Sequence, residues 1–158
     1  RDLVRSRGLG DVYKRQLYGM AGVRLGYCLC SDTELLARMR AAGQPWAVSS
    51  LAQAAGIAAL DETDYVAQVR ALIEAQRPVL ADGLRALGLR VIEGRANYLL
   101  FRAPEALSEA LRRKGAVLRS CGNYPGLDAS WYRTAVRTEN ENRQLLALLA
   151  ETLPEVAQ

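Results

Sequence analysis

Residues 17–27 read Leu-Tyr-Gly-Met-Ala-Gly-Val-Arg-Leu-Gly-Tyr. Gly19 and Gly22 mark a turn, and an apolar run follows at Val23, Leu25, Tyr27 and Leu29. Arg24 stands among these small residues, where backbone N–H groups and a guanidinium can hold an anion together. The plainer reading is a surface arginine at a strand start. Val23–Cys30 is expected as a buried strand, with Gly26 where a side chain would crowd a neighbour.

Upstream of this stretch the texture is foreign. Residues 1–16 carry five basic side chains against two acidic ones, whereas the rest of the chain carries 16 against 15. Most of the formal charge of +4 therefore sits in the first sixteen residues. Ser6–Gln16, SRGLGDVYKRQ, resembles the in-frame translation of a transposase-type sequencing-library adapter. Residues 1–16 are expected to be a non-native tail and are set aside from fold reasoning.

Half of the 158 residues are hydrophobic, enough to build the core of one medium domain or two small ones. No apolar run approaches membrane-spanning length. Three cysteines (Cys28, Cys30, Cys121) without paired-ligand spacing, and no histidine, argue against a disulfide framework, a zinc site and serine–histidine or cysteine–histidine catalysis. A reduced, cytoplasmic setting is expected.

Downstream, Ser31-Asp32-Thr33-Glu34 opens a helix running to about Ala42, with Leu35, Leu36 and Met39 on its apolar side. Ser49-Ser50 caps an alanine-rich helix over 51–60. Residues 61–88 read as a connecting helix with Tyr65, Val69, Leu72, Ile73, Leu80, Leu84 and Leu87 on one face, kinked or split at Pro78 and closed by Gly88. Residues 89–158 change to a small α+β domain in the order β-β-α-β-β-α. Its strands are expected at 89–92, 97–102, 116–119 and 132–137, and its helices at 104–114 and 139–153. A Gly/Asn/Pro/Asp-rich loop spans 120–131.

Arg24, Arg119, Arg133 and Arg137 fall in or beside these strands, and arginine gives a planar, bidentate grip on carboxylate and phosphate. An ion pair with Glu139 is the plainer reading of Arg137, and a solvent-facing strand residue that of Arg119. Asn97 and Tyr124 are expected as a turn-capping asparagine and a core tyrosine more than as direct contacts.

LYGMAGVRLGY is similar to the segment following the cofactor lysine in class I/II aminotransferases, the fold-type-I pyridoxal 5'-phosphate enzymes. Gln44–Gly56 and Ala96–Arg102 resemble the histidinol-phosphate aminotransferase branch. Arg119-x-Cys121-x-Asn123-Tyr124-x-Gly126-Leu127, with Pro45-Trp46, resembles the threonine-phosphate decarboxylases of cobalamin biosynthesis. The likeness covers essentially all of 17–153.

The resemblance implies an α/β fold: residues 17–60 as a remnant of the cofactor-binding large domain, 61–88 as the connecting helix and 89–158 as the small domain. It implies pyridoxal 5'-phosphate as cofactor, Arg24 on the cofactor phosphate, Arg133 on the substrate carboxylate and Arg119 as a second anion grip. The cofactor lysine falls on position 16, where this chain has Gln16, so no catalytic residue is assigned and the chain as written is expected to be inactive. The implied partners are a small phosphorylated amino acid or amino alcohol and a second copy in a homodimer, with neither nucleic acid nor membrane; no metal site is expected. Threonine-phosphate decarboxylation is the reaction the resemblance implies first, with histidinol-phosphate transamination as the alternative. A stand-alone α+β domain for nucleic-acid or protein interaction is the reading from another class; the small net charge of residues 17–158 and the few aromatics speak against nucleic-acid binding.

Overall fold

The computed structural model of the chain describes residues 18–26 and 29–156. Gln16 and the other residues up to 17, with Tyr27 and Cys28, lie outside the described residues. The chain divides into two units, one up to Ala67 and one from Gln68.

In the first unit the glycine turn is followed by a 3-10 turn over Ala21–Val23, closed by Val23 N–H donating to the Met20 carbonyl at 3.2 Å. The strand expected over Val23–Cys30 is not formed by its described residues: Arg24–Gly26 and Leu29–Cys30 have no ladder partner. A strand persists only by exchanging backbone hydrogen bonds with a neighbour, and no strand is described in this unit. Leu25 instead packs its side chain onto Gly56, where any Cβ would collide with it.

Helix α1, Thr33–Ala42, is capped by Asp32, whose carboxylate accepts from Leu35 N–H at 2.9 Å. None of its residues is fully buried; of the expected apolar stripe Leu35 and Leu36 are partly covered and Met39 is exposed. Helix α2, Ser50–Asp61, is capped by the Ser49 hydroxyl, which accepts from Ala52 N–H at 3.2 Å. Ala52 and Ala59 are its buried residues.

Helix α3, Thr63–Ala86, runs as one element through Pro78. Gly88, at φ +79°, ends it in the left-handed conformation that glycine adopts without a Cβ penalty. Leu89 N–H then returns to the Leu84 carbonyl at 3.2 Å. Of the expected apolar face, Leu80 and Leu84 are fully buried, whereas Tyr65 and Leu72 are exposed.

The second unit is a four-stranded antiparallel sheet with helices packed on one face. The strands are β1 (Arg90–Ile92), β2 (Tyr98–Arg102), β3 (Arg119–Ser120) and β4 (Trp131–Ala135), in the order β1-β2-β4-β3. Helix α4 (Leu107–Arg113) follows β2, and α5 (Glu139–Val156) closes the chain. The expected element order holds. The third strand is shorter and sits later than 116–119, because Leu118 turns into the core while Val117 is left exposed.

Alternation along β2 and β4 sorts their side chains cleanly. Leu99, Phe101, Tyr132 and Thr134 are buried against Leu80, Leu84, Leu107, Leu111 and Leu149 from the helices. Phe101 and Tyr132 stack with ring centroids 5.9 Å apart. Each of these fully buried large side chains contributes about 1.5–3 kcal/mol of transfer free energy. Burial pushes the Tyr132 phenol pKa up, and its hydroxyl donates to the Pro104 and Glu105 carbonyls at 3.1 and 2.8 Å, tying β4 to the entry of α4.

The β4–α5 corner is held by one buried side chain. Asn142 Oδ1 accepts from Arg137 N–H at 3.1 Å, while its Nδ2 donates to the Arg137 carbonyl at 2.8 Å and to Gln76 Oε1 on α3 at 3.3 Å. Arg137 forms its ion pair with Glu141 at 2.6 Å rather than with Glu139, which pairs with Arg143 at 2.5 Å. Both are i,i+4 pairs, the separation that brings side chains onto one side of a helical turn, whereas residues two apart point away from each other. Glu141 also accepts from Thr138 Oγ1 at 2.7 Å and Thr138 N–H at 3.2 Å, completing a Thr-x-x-Glu cap at the start of α5.

Candidate functional site

The face of the sheet away from the core carries the expected anion-gripping residues. Arg119 on β3 is the direct cross-strand partner of Arg133 on β4, and Arg133 in turn faces Leu100 on β2. Direct partners share a face of an antiparallel ladder with Cβ atoms about 4.5–5.5 Å apart. Two residues fourteen apart in sequence are thus brought side by side by the loop between β3 and β4.

Like charges set directly opposite oppose each other by roughly 0.2–1 kcal/mol. A sheet normally answers this with a carboxylate, as it does at Arg102, which lies 3.8 Å from Asp128 and donates through Nε to Ser130 Oγ at 2.9 Å. Among the described residues, neither Arg119 nor Arg133 has a carboxylate within ion-pairing distance. Apart from each other, the groups that meet them are neutral. The Arg133 guanidinium lies 4.7 Å from the centroid of the Tyr98 ring, and that of Arg119 lies 5.7 Å from the Tyr124 ring. Arg119 also donates to Asn123 Oδ1 at 3.3 Å. The same face carries Arg90 over Trp131 at 5.8 Å.

The 120–131 loop is rigid by its own bonding. Tyr124 N–H donates to the Cys121 carbonyl at 2.9 Å and Leu127 N–H to the Tyr124 carbonyl at 3.1 Å. Gly126 takes φ +85°, and Gly122 approaches the Ala129 backbone so closely that a Cβ would meet it at 3.1 Å. Asp128 accepts from the Ser130 hydroxyl and, at 2.9 Å, from Ser130 N–H; these bonds and Arg102 hold its carboxyl below the usual range. The loop thereby presents Asn123 and Tyr124 to Arg119.

Tyr124 is 40% exposed beside Arg119, so it is not the core tyrosine expected from the sequence. Asn97 is half-buried, and its carbonyl accepts from Val136 N–H at 2.9 Å. Tyr98 was not singled out by sequence reasoning. Its signal lay in the strand period, which places Tyr98, Leu100 and Arg102 on one face of NYLLFR.

Arg24 belongs to the other unit. It follows the 3-10 turn at φ +57°, an uncommon conformation for a residue with a side chain, and it is exposed. Among the described residues it too lacks a carboxylate partner. The donor chemistry here fits a phosphate. A covalent anchor for a carbonyl cofactor is another matter, since Lys114 is the one lysine among the described residues. Its Nζ lies 2.8 Å from both Glu151 and Glu155, and their hydrogen bonds raise its pKa, so it is held as an ammonium and lacks the free amine such an anchor needs.

The chain matches the family Aminotransferase class I and II over residues 17–149. It is 38% identical over 146 residues to threonine-phosphate decarboxylase of Salmonella typhimurium, covering 90% of this chain and 40% of that protein. It is also 38% identical over 143 residues to histidinol-phosphate aminotransferase of Symbiobacterium thermophilum, covering 89% and 39%. The structure superposes on that of histidinol-phosphate aminotransferase from Clostridium acetobutylicum with a TM-score of 0.81 at 30% identity, covering 88% of this chain and 43% of that one. A further neighbour, histidinol-phosphate aminotransferase from Sinorhizobium meliloti at 26% identity and TM-score 0.68, was solved with pyridoxal-5'-phosphate; the match covers 89% of this chain and 38% of that one. The chain spans about two fifths of the length of the curated relatives it matches. With a family match over 17–149, the expected mixed α/β architecture and an arginine-bearing sheet face, the chain belongs to the class I and II aminotransferase family.

Proposed function

We propose that this chain is the substrate-gripping, C-terminal part of a pyridoxal 5'-phosphate enzyme acting on a small phosphorylated amino compound, with threonine phosphate as substrate and decarboxylation as reaction. The observation that carries the reading is the uncompensated Arg119–Arg133 pair. Two guanidiniums on adjacent strands, with no carboxylate among the described residues to satisfy them, suit a substrate that itself brings two anionic groups. Arg133 takes the substrate carboxylate and Arg119 the second anionic group. Arg24 takes the phosphate of the cofactor.

When bound, the cofactor supplies an electron sink for the pair left at Cα when a bond there breaks. The residues present fit its phosphate but not its covalent anchor, because Lys114 is committed to Glu151 and Glu155 and position 16 is Gln16. The contribution of this chain is therefore orientation. A carboxylate clamped by Arg133 restricts rotation about the Cα bonds, and that restriction selects which bond is broken. The chain as written has no catalytic turnover on this reading.

One feature favours the decarboxylase over the transaminase: the 119–127 element resembling decarboxylases, whose Asn123 and Tyr124 both meet Arg119. The deciding experiment uses the enzyme restored upstream of Leu17 from its genomic locus. Carbon dioxide released from threonine phosphate supports the proposal. Glutamate formed from histidinol phosphate and 2-oxoglutarate, without carbon dioxide from threonine phosphate, overturns the specific label; no turnover of either substrate overturns both.

A further inference from the structure

The two site arginines are held in an unusual way. A guanidinium that must keep a fixed orientation is ordinarily pinned by a carboxylate, which also cancels its charge. Here the pinning groups are an aromatic ring on each side and one amide oxygen: Tyr98 under Arg133 at 4.7 Å, and Tyr124 with Asn123 at Arg119. A ring face attracts a cation through its quadrupole yet carries no net charge, and it leaves the in-plane N–H fork free. The sheet can do otherwise: Arg102, on the same face, is answered by Asp128.

The placement of the rings follows from independent elements. Tyr98 pairs with Ala135 on β4, two residues beyond Arg133, so it reaches that arginine diagonally across the ladder. Arg77 on α3 steadies the turn just before Tyr98 by donating to the Arg95 and Ala96 carbonyls at 2.8 and 2.5 Å. Tyr124 is delivered by the rigid 120–131 loop.

We propose that Tyr98 and Tyr124 are positioning residues: their ring faces hold Arg133 and Arg119 in place of carboxylates, so that both positive charges remain available to an anionic substrate. This rests on the assignment of the arginine pair to substrate binding. It adds that the rings, not the arginines alone, set the affinity and the charge of the site.

The test uses the 158-residue chain, with O-phospho-L-threonine as probe at low ionic strength, titrated by calorimetry and followed by NMR of the arginine side chains. Tyr98→Leu is expected to weaken binding about three- to tenfold, the range of a partly desolvated cation–π contact, while Tyr98→Phe stays within about twofold of the wild type. Tyr124→Glu, on an exposed loop position where folding is not at stake, is expected to abolish binding by neutralising Arg119. The ring-current displacement of the Arg133 side-chain signals should vanish in Tyr98→Leu and persist in Tyr98→Phe. Loss of binding in Arg133→Ala together with wild-type affinity in Tyr98→Leu and Tyr124→Glu overturns this proposal alone. Absence of binding by the wild type, or wild-type affinity in Arg133→Ala, overturns the assignment of the arginine pair and this proposal with it.

Discussion

Replacing Asn142 by leucine tests how the β4–α5 corner is built. Asn142 is 2% exposed and makes three hydrogen bonds, two of them to the N–H and C=O of Arg137. Leucine has a similar volume, so the change removes hydrogen bonds with little cavity. The Arg137 backbone donor and acceptor are then stranded at about 1–3 kcal/mol each. The Arg137 side chain is exposed and lets water approach, and Gln76 can turn outward, which puts the sum near the lower end, about 2–3 kcal/mol. In a unit of roughly 90 residues such a loss lowers the melting temperature by about 10–20 °C. The assay is thermal and urea unfolding followed by far-UV circular dichroism and tryptophan fluorescence. Trp131 sits half-buried on β4 and reports on the second unit, whereas Trp46 is 96% exposed and contributes a nearly constant signal. Asn140→Leu, at an exposed neighbouring position, is the control and should stay within about 0.5 kcal/mol. A loss below about 0.5 kcal/mol for Asn142→Leu would refute the reasoning, because it would mean that the corner is held without that side chain.

Phe101→Ala removes a fully buried ring from the centre of the sheet and should cost about 3–5 kcal/mol, read from the same urea transition. Arg119→Ala should behave oppositely: it relieves the repulsion across β3 and β4, leaves stability unchanged or raised by a few tenths of a kcal/mol, and abolishes O-phospho-L-threonine binding. Destabilisation by more than about 1 kcal/mol would instead make Arg119 a structural residue. The Glu141 carboxyl is held below its ordinary pKa, first by the Thr138 hydroxyl and then by Arg137. Its contribution to stability is therefore fully present above its unfolded value, near 4.3, and is lost as pH falls through the lower folded value. The difference in melting temperature between wild type and Glu141→Gln should shrink as the pH is lowered through that window; a difference that grows on acidification would reverse the sign and remove Glu141 from the cap.

Much of the fold could be read from local chemistry. Asp32 and Ser49 announce their helices because a short side-chain oxygen can satisfy the free N–H groups of a first turn, and Gly88 announces an end because it alone adopts φ +79° without strain. The order β-β-α-β-β-α followed from periodicities of two and 3.6 residues, and the glycine-flanked arginine of residues 17–27 pointed to the family. These are short-range signals. Residues 23–30 show their limit: an apolar run has strand character in sequence, but a strand also needs a partner, and that requirement is not local.

The candidate site was only half visible for the same reason. Residue type singled out Arg119 and Arg133, since a planar, permanently charged fork is what an anion requires. Their adjacency depended on the antiparallel register of β3 and β4, and their lack of a carboxylate among the described residues depended on where those acidic side chains came to rest. Tyr98 and Tyr124 met those guanidiniums only because a diagonal across the ladder and the 120–131 loop set their rings against them. Arg137 shows the converse, since helical geometry, not proximity in sequence, gave it Glu141 in place of Glu139. The sequence by itself determined the family, the element order of residues 89–158 and the chemistry on offer, because these reside in residue types and short periods. Tertiary structure alone decided which charges stand together uncancelled, because that balance is struck between residues distant along the chain.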